Sequence, residues 1–574
     1  MSERRAARRR RSPRAPLVWV IPSLLTAVLV TVPLIYLVLR ASENGLSAYL
    51  DYVWTPITAL LLRRTLLLAI GAVLLAIALA VPLAWLVVRT DLPGRRVWAV
   101  VAALPLVFPS YVAALALISF AGPRGFLHGW LEPLTQLDRL PPVAYGLSGA
   151  VLVLGWFTYP YVYLPLVAAL RLQNPAYEDS ARSLGASRWR TFWTVTLPQL
   201  RAPLASSSLL VALYALSDFG AVSIVRYNTF TLSIYNAYRG HFDRTIASSR
   251  ATILVLLTVL LIALEARLVQ RLRAGRRRPS RPPSRVPLGV WRVPALVFVT
   301  TVALVGVGMP VGVVGFWAVR GLLVGADVDA AFSAVGNSLF VAALAAVISM
   351  VLSLPLALWS VRDRRPLARL VERLSRTGFA LPGLVIALAL VSLASRVPWL
   401  YQTVPLLALA YVVRFLPEAT GTTRAALADL APSFEEAGRS LGRTPLQVLR
   451  TLVLPLILPG VAAGGALVFL TSMKELPATL LLRPIGFETL ATDIWLYAGE
   501  AIYARAALPA LILLLVTAPP VYWLAIRPVL RERVPAADRS DAVPPSTPLT
   551  RADAILESTL DGSGAIVGDR LAGR

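Results

Sequence analysis

Apolar runs long enough to cross a hydrocarbon core of about 30 Å recur along the whole chain, separated by polar connectors. The clearest are Pro16–Leu39 and Val293–Val319. Taken in order, the runs predict membrane helices near 17–39, 62–88, 98–120, 144–169, 203–224 and 250–268. A second set follows near 293–319, 335–360, 376–395, 398–417, 456–476 and 506–526. The two sets are copies of each other. The stretch VPLAW from Val81 answers LPLAL from Leu354, and FPSYVAALAL from Phe108 answers LPGLVIALAL from Leu381, both 273 residues further on. An even number of crossings per copy makes both halves enter the membrane in the same orientation, a parallel repeat about an axis along the membrane normal. The expected fold is therefore all-α and integral to the membrane, two tandem six-helix halves with about 12 transmembrane helices and a path between them.

Between the fourth and fifth runs of each copy the apolar pattern gives way to an amphipathic one. EDSARSLGASRWRTFWTVTLPQLRAP starts at Glu178 and EEAGRSLGRTPLQVLRTLVLPLILPG at Glu435, 257 residues apart. In the second copy Ser433 and Glu436 have capping-box spacing, and Glu435 and Glu436 fall where a helix N-terminus favours carboxylates. Gly442 is placed as a left-handed stop, Thr444–Pro445 starts a second helix, and Pro455 ends it. The first copy spells the same plan with Asn174–Pro175, then Glu178 and Asp179, Gly185, Ser187 and Pro198. Each copy thus predicts a short helix, a glycine turn and a second short helix, an element suited to helix-in-groove docking of a soluble partner. An interfacial helix pair lying on the bilayer leaves the specific shared pattern E-[ED]-x-x-R-S-L-G unexplained.

Charge fixes the expected topology. The formal net charge is +26, and the arginines crowd into RRAARRRRSPR at the start, RLRAGRRRPSRPPSR near the middle, and connectors such as RTDLPGRR and VRDRRPLAR. Clusters placed between apolar runs follow the positive-inside rule, which argues against a nucleic-acid surface. The expected organisation is a basic cytoplasmic N-terminus (1–16), a first half (17–270) with its amphipathic loop at 174–203, and a mobile Arg/Pro-rich cytoplasmic linker (271–290). A second half (291–530) follows, with its loop at 431–459, then a polar, disordered cytoplasmic tail (531–574). The first apolar run is longer than a signal-peptide core and lacks a small-residue cleavage site, so it reads as a retained helix.

The candidate chemistry is sparse. The chain has no cysteine, which excludes thiol catalysis, and its two histidines, His128 and His241, read as isolated loop residues with no ligand cluster. A phosphate-binding loop needs a lysine after glycine, and the single lysine, Lys474, follows Met473. No catalytic residue, metal site or bound cofactor is expected. Asp218 and Glu475 coincide at the 257-residue offset near the outer ends of the two fifth runs, and ionisable groups at membrane depth are candidates for lining a path. Lys474 is placed to pair with Glu475, and Arg414 to snorkel from the inner end of its helix.

The amphipathic segments resemble the EAA loop of binding-protein-dependent ABC importer permeases, whose pattern is Glu-Ala-Ala, three residues, Gly, nine residues and Ile-x-Leu-Pro. Glu435, Ala437 and Gly442 sit close to that consensus; the first loop departs from it at Asp179 and Ser180. The resemblance implies a type I-like fold of fused double length. It also implies two ABC ATPase subunits seated on loop residues Glu178, Asp179, Gly185, Glu435, Glu436, Ala437 and Gly442, with ATP and Mg held by those partners. An extracytoplasmic solute-binding protein and a bacterial inner-membrane location with both termini cytoplasmic follow in the same way. ALSDFGAVSIVRYNTFTLSIY from Ala215 and MKELPATLLLRPIGFETLATDIW from Met473 are similar to stretches of ferric-iron importers. Thiamine, phosphonate and polyamine importers share much of this pattern. A gradient-driven secondary transporter is also often a parallel repeat, but it would leave the duplicated loop without a use.

Overall fold

The computed structural model describes residues 17–526, apart from 42–44, 136–137, 140, 241–243, 273–284, 326–327 and 364. The basic N-terminus, His241, most of the linker and the C-terminal tail lie outside the described residues. Those described form an all-helical molecule with one isolated bridge, Thr90 with Val286.

The first half is built from α1 (Leu17–Ala41), α2 (Pro56–Arg89), α3 (Ser110–Ala121), α4 (Gly146–Arg171), the short α5 (Ala176–Ser183), α6 (Arg201–Ser217), α7 (Gly220–Ile224), α8 (Phe230–Gly240) and α9 (Arg244–Leu272). The second repeats the order with α10 (Met309–Leu323), α11 (Val328–Arg362), α12 (Gly383–Ala394), α13 (Val404–Asp429), α14 (Pro432–Ser440), α15 (Leu454–Met473), α16 (Pro477–Leu482), α17 (Leu490–Gly499) and α18 (Tyr503–Val521). Ten helices among the described residues are long and apolar enough to cross a membrane.

Two of the expected spans do not qualify, for a backbone reason that hydropathy does not carry. The span expected at 203–224 stops at Ser217, and the helix before it, Trp189–Gln199, meets α6 at a 65° bend. The span expected at 376–395 is split into a single turn, Thr377–Ala380, and α12, because Leu381 precedes Pro382 and is held extended at ψ 131°. The first half breaks in the same way, Phe108 before Pro109 at ψ 124°, so α3 starts at Ser110 rather than continuing a helix from residue 98. Such breaks are tolerated at membrane depth only where protein rather than lipid surrounds them. Both short helices meet that condition: Ser110–Ala116 and Gly383–Ser392 are buried without interruption.

Other boundaries also shift. The span expected to end near 417 runs on to Asp429, which puts Arg414 in mid-helix. Pro455 does not end its helix, since a π turn at Leu449–Val453 absorbs the hydrogen bond that proline cannot donate and the helix runs on into α15. The end of the linker is packed rather than mobile: the Val286 amide donates to the Arg89 carbonyl at 2.7 Å and the Leu288 amide to Asp91 at 2.8 Å. His128 lies on a helix, Phe126–Thr135, beside Glu132 at 3.9 Å.

The halves exchange their first helices. Helix α1 packs on α11 and α12 of the second half as well as on α9, and α10 packs on α3 of the first half as well as on α18. Matched hydrogen bonds hold the exchange: Tyr36 donates to the Ser392 carbonyl at 3.2 Å and Trp317 to Ser119 Oγ at 2.7 Å. Within each half the long α2 and α11 bury alanine-rich stripes, Ala69, Ala72, Ala76 and Ala80 in one and Ala342, Ala345 and Ala346 in the other. Small side chains suit helices packing inside a bilayer, where close backbone approach replaces the hydrophobic drive.

Candidate functional site

The duplicated loops fold as helix, glycine turn, helix. In the first, α5 is followed by Gly185 at φ 83° and a helix from Arg188; in the second, α14 is followed by Gly442 at φ 78° and a helix from Pro445. Both glycines occupy the left-handed conformation that ends a helix. Each closes the turn with its amide on the carbonyl three residues back, Arg182 or Arg439, at 2.9 Å. Thr444 caps the second helix in a reciprocal capping box with Gln447. Ser433 caps nothing, because α14 starts one residue earlier, at Pro432; Glu435 lies in its first turn and Glu436 beyond it.

The first carboxylate of each loop turns inward. Glu178 pairs with Arg89, at the end of α2, and accepts from Thr196 Oγ1 at 2.8 Å. Glu435 is matched with Arg362, at the end of α11, whose Nε donates to it at 2.8 Å, with Arg439 at 3.3 Å. Arg89 and Arg362 are themselves 273 residues apart, so each loop is clamped to the equivalent long helix of its own half. Asp179 is half-buried, and Glu436 and Ala437 are exposed.

The loops turn apolar side chains outward. Leu184 is 89% exposed and Leu441 80%, each just before its turn glycine; Tyr177 and Phe434 are also exposed at matched positions. Trp189 and Leu446 extend these patches onto the second helices. Contiguous exposed apolar side chains on a polar helix mark an interaction surface. The leucines were visible in the shared R-S-L-G, but the acidic residues and glycines drew the expectation instead.

Between the halves lies a buried polar cluster. Asp218 and Glu475 close α6 and α15 at equivalent points, and each receives the amides of the short helix that follows. Asp218 accepts from Ala221 and Val222 at 2.9 and 3.3 Å, and Glu475 from Ala478 at 3.1 Å. Both carboxylates are more than nine-tenths buried. Arg414 does not snorkel: its Nη1 donates to Glu475 at 2.9 Å inside the protein. Lys474 does not pair with Glu475; it reaches across to the first half and donates to the Leu106 carbonyl at 3.1 Å. Gly383 leaves room for the Arg414 pair, since a Cβ there would fall on the guanidinium and the carboxylate. Gly383→Ala is therefore expected to destabilise the protein by about 1–3 kcal/mol through overpacking, seen as a lower midpoint in detergent thermal unfolding. Among the described residues no group of three or more His, Cys, Asp or Glu could hold a metal ion.

The model of the binding-protein-dependent transport system inner membrane component family matches twice, at residues 72–274 and 349–526. The chain belongs to this family. Its two matched segments make it a fused, double-length permease. It is 35% identical to the Fe(3+)-transport system permease protein FbpB 2 of Haemophilus influenzae over 533 residues, 89% of this chain and 99% of that one. It is also 30% identical to the sulfate transport system permease protein CysW of Escherichia coli K12 over 242 residues, 42% of this chain and 81% of that one. The sulfate permease CysT of the same strain is 27% identical over 42% of this chain and 86% of its own length. The chain is accordingly a multi-pass inner-membrane permease subunit of an ABC importer, a transport subunit rather than an enzyme, working with a binding protein and an ATPase.

Proposed function

We propose that this permease carries iron(III) inward and that two ATPase subunits dock on it, one at each helix–glycine–helix loop. The loops and both termini then lie on the cytoplasmic face, and ATP and Mg are bound by the ATPases alone. The iron assignment is carried by the end-to-end similarity to an Fe(3+) permease, against sulfate permeases that align with less than half of the chain. Docking is carried by Leu184 and Leu441, an exposed pair at equivalent points of two clamped loops.

The geometry supports transport by alternating access. Closure of the ATPase pair draws the loops together, and the Arg89–Glu178 and Arg362–Glu435 clamps pass that displacement to α2 and α11. The exchanged helices α1 and α10 tie each half to the other, so the halves rock as bodies around the central cluster.

The test is uptake into proteoliposomes holding this permease with its ATPase inside and its binding protein outside. Radiolabelled iron(III) is expected to accumulate only with ATP and the loaded binding protein. Accumulation of sulfate, thiamine, phosphonate or polyamine instead of iron would overturn the substrate assignment.

A further inference from the structure

Three pairs of equivalent positions flank the space between the halves: Tyr161 with Glu418, Tyr214 with Thr471, and Ser217 with Lys474, each 257 residues apart. All six are half-buried, whereas Asp218 and Glu475 beside them are buried. The Tyr161 and Tyr214 rings lie 6.0 Å apart, and Thr471 Oγ1 donates to Glu418 Oε2 at 3.1 Å. Glu418 and Tyr161 are electrostatic neighbours across the two halves. Tyr214 and Asp218 both have Ser110 as a neighbour. The first half thus lines this space with neutral hydroxyls, and the second adds one carboxylate near the middle of α13 and one ammonium a helical turn beyond Thr471.

The duplication makes this asymmetry informative. Symmetric lining would have been inherited from a repeat, yet here the charge is confined to one copy. A carboxylate at membrane depth is costly to keep. Arg414 does not neutralise Glu418 by direct contact, because it is engaged by Glu475.

We propose that Glu418, with the hydroxyls of Tyr161, Tyr214 and Thr471, forms a transient oxygen-donor site for a hard multivalent cation in the translocation path, closed on its outer side by the Lys474 bridge to Leu106. The proposal rests on the iron(III) assignment. Oxygen donors suit hard cations, and one carboxylate among neutral hydroxyls gives a site that holds its ion weakly enough to release it. A sulfate dianion would be repelled by the Glu418 carboxylate, so the same site disfavours sulfate. Helix α15 runs outward from its loop, so Lys474 stands on the entry side of Thr471, and its reach to Leu106 must open before an ion can pass.

The experiment compares wild type, Glu418→Gln, Glu418→Asp and Tyr161→Phe in the reconstituted transporter, reading radiolabelled iron(III) uptake and ATPase stimulation by the iron-loaded binding protein. Glu418→Gln is expected to keep stimulated ATPase within about twofold and to lose about tenfold or more in uptake, the scale of one charged contact. Glu418→Asp is expected to restore most of the uptake, and Tyr161→Phe to raise the half-saturating concentration of loaded binding protein. Unchanged iron uptake in Glu418→Gln, or joint loss of ATPase and uptake that Glu418→Asp does not restore, overturns the site. A wild type that moves sulfate and no iron overturns the substrate assignment instead.

Discussion

A chain carrying Leu184→Asp and Leu441→Asp together is expected to insert and fold normally and yet to lose ATP-driven uptake almost completely. Both leucines stand in the open, so their replacement leaves no cavity and strains no helix. At a docking interface, a buried apolar anchor is worth about 2 kcal/mol or more, roughly thirtyfold in affinity for each loop. An aspartate there also carries a charge into an apolar cleft. Each single variant is expected to keep one working loop and to show partial ATPase recovery in co-purification, with a larger loss of uptake, since alternating access needs both halves driven. Full ATPase recovery and full uptake in the double variant would remove the leucines from the docking surface.

The second large effect lies in the buried pair. Arg414→Met is expected to leave the Glu475 carboxylate uncompensated in the interior and to cost about 3–5 kcal/mol, with a marked fall in monodisperse yield and thermal midpoint. The double variant Arg414→Met, Glu475→Gln is expected to recover much of that loss. Its amide oxygen can still accept from the Ala478 amide, and position 475 no longer carries an unpaired charge. A single variant as stable as wild type would show that Glu475 has another partner.

The sequence made the repeat, the helix–glycine–helix loops and the equivalence of Asp218 with Glu475 readable, because each rests on spacing that two copies repeat. Gly185 and Gly442 were predictable for the same reason: a left-handed turn admits few other residues. The missed features depend on tertiary surroundings. Hydropathy adds up side chains and does not register that Phe108 and Leu381, each before a proline, break the backbone within an apolar run. The fate of Arg414 turned on how far α13 extends and on the missing side chain at Gly383, neither visible in a charge count. Glu178 and Glu435 were correctly placed in the loops, but their inward clamps to Arg89 and Arg362 required knowing which helix ends lie beside them. Glu418 escaped notice because the expected span ended at 417, one residue short of it, whereas α13 runs on to Asp429.

The chain contains no cysteine, so a single one can be introduced without a background. The most direct test of the account is therefore site-specific cross-linking from Leu184→Cys and Leu441→Cys in native membranes, followed by mass spectrometry of the products. Cross-links from both positions to an ABC ATPase, altered by ATP, are the predicted result. Intact, folded protein that yields no ATPase adduct from either position would contradict the claim that these loops couple ATP hydrolysis to transport.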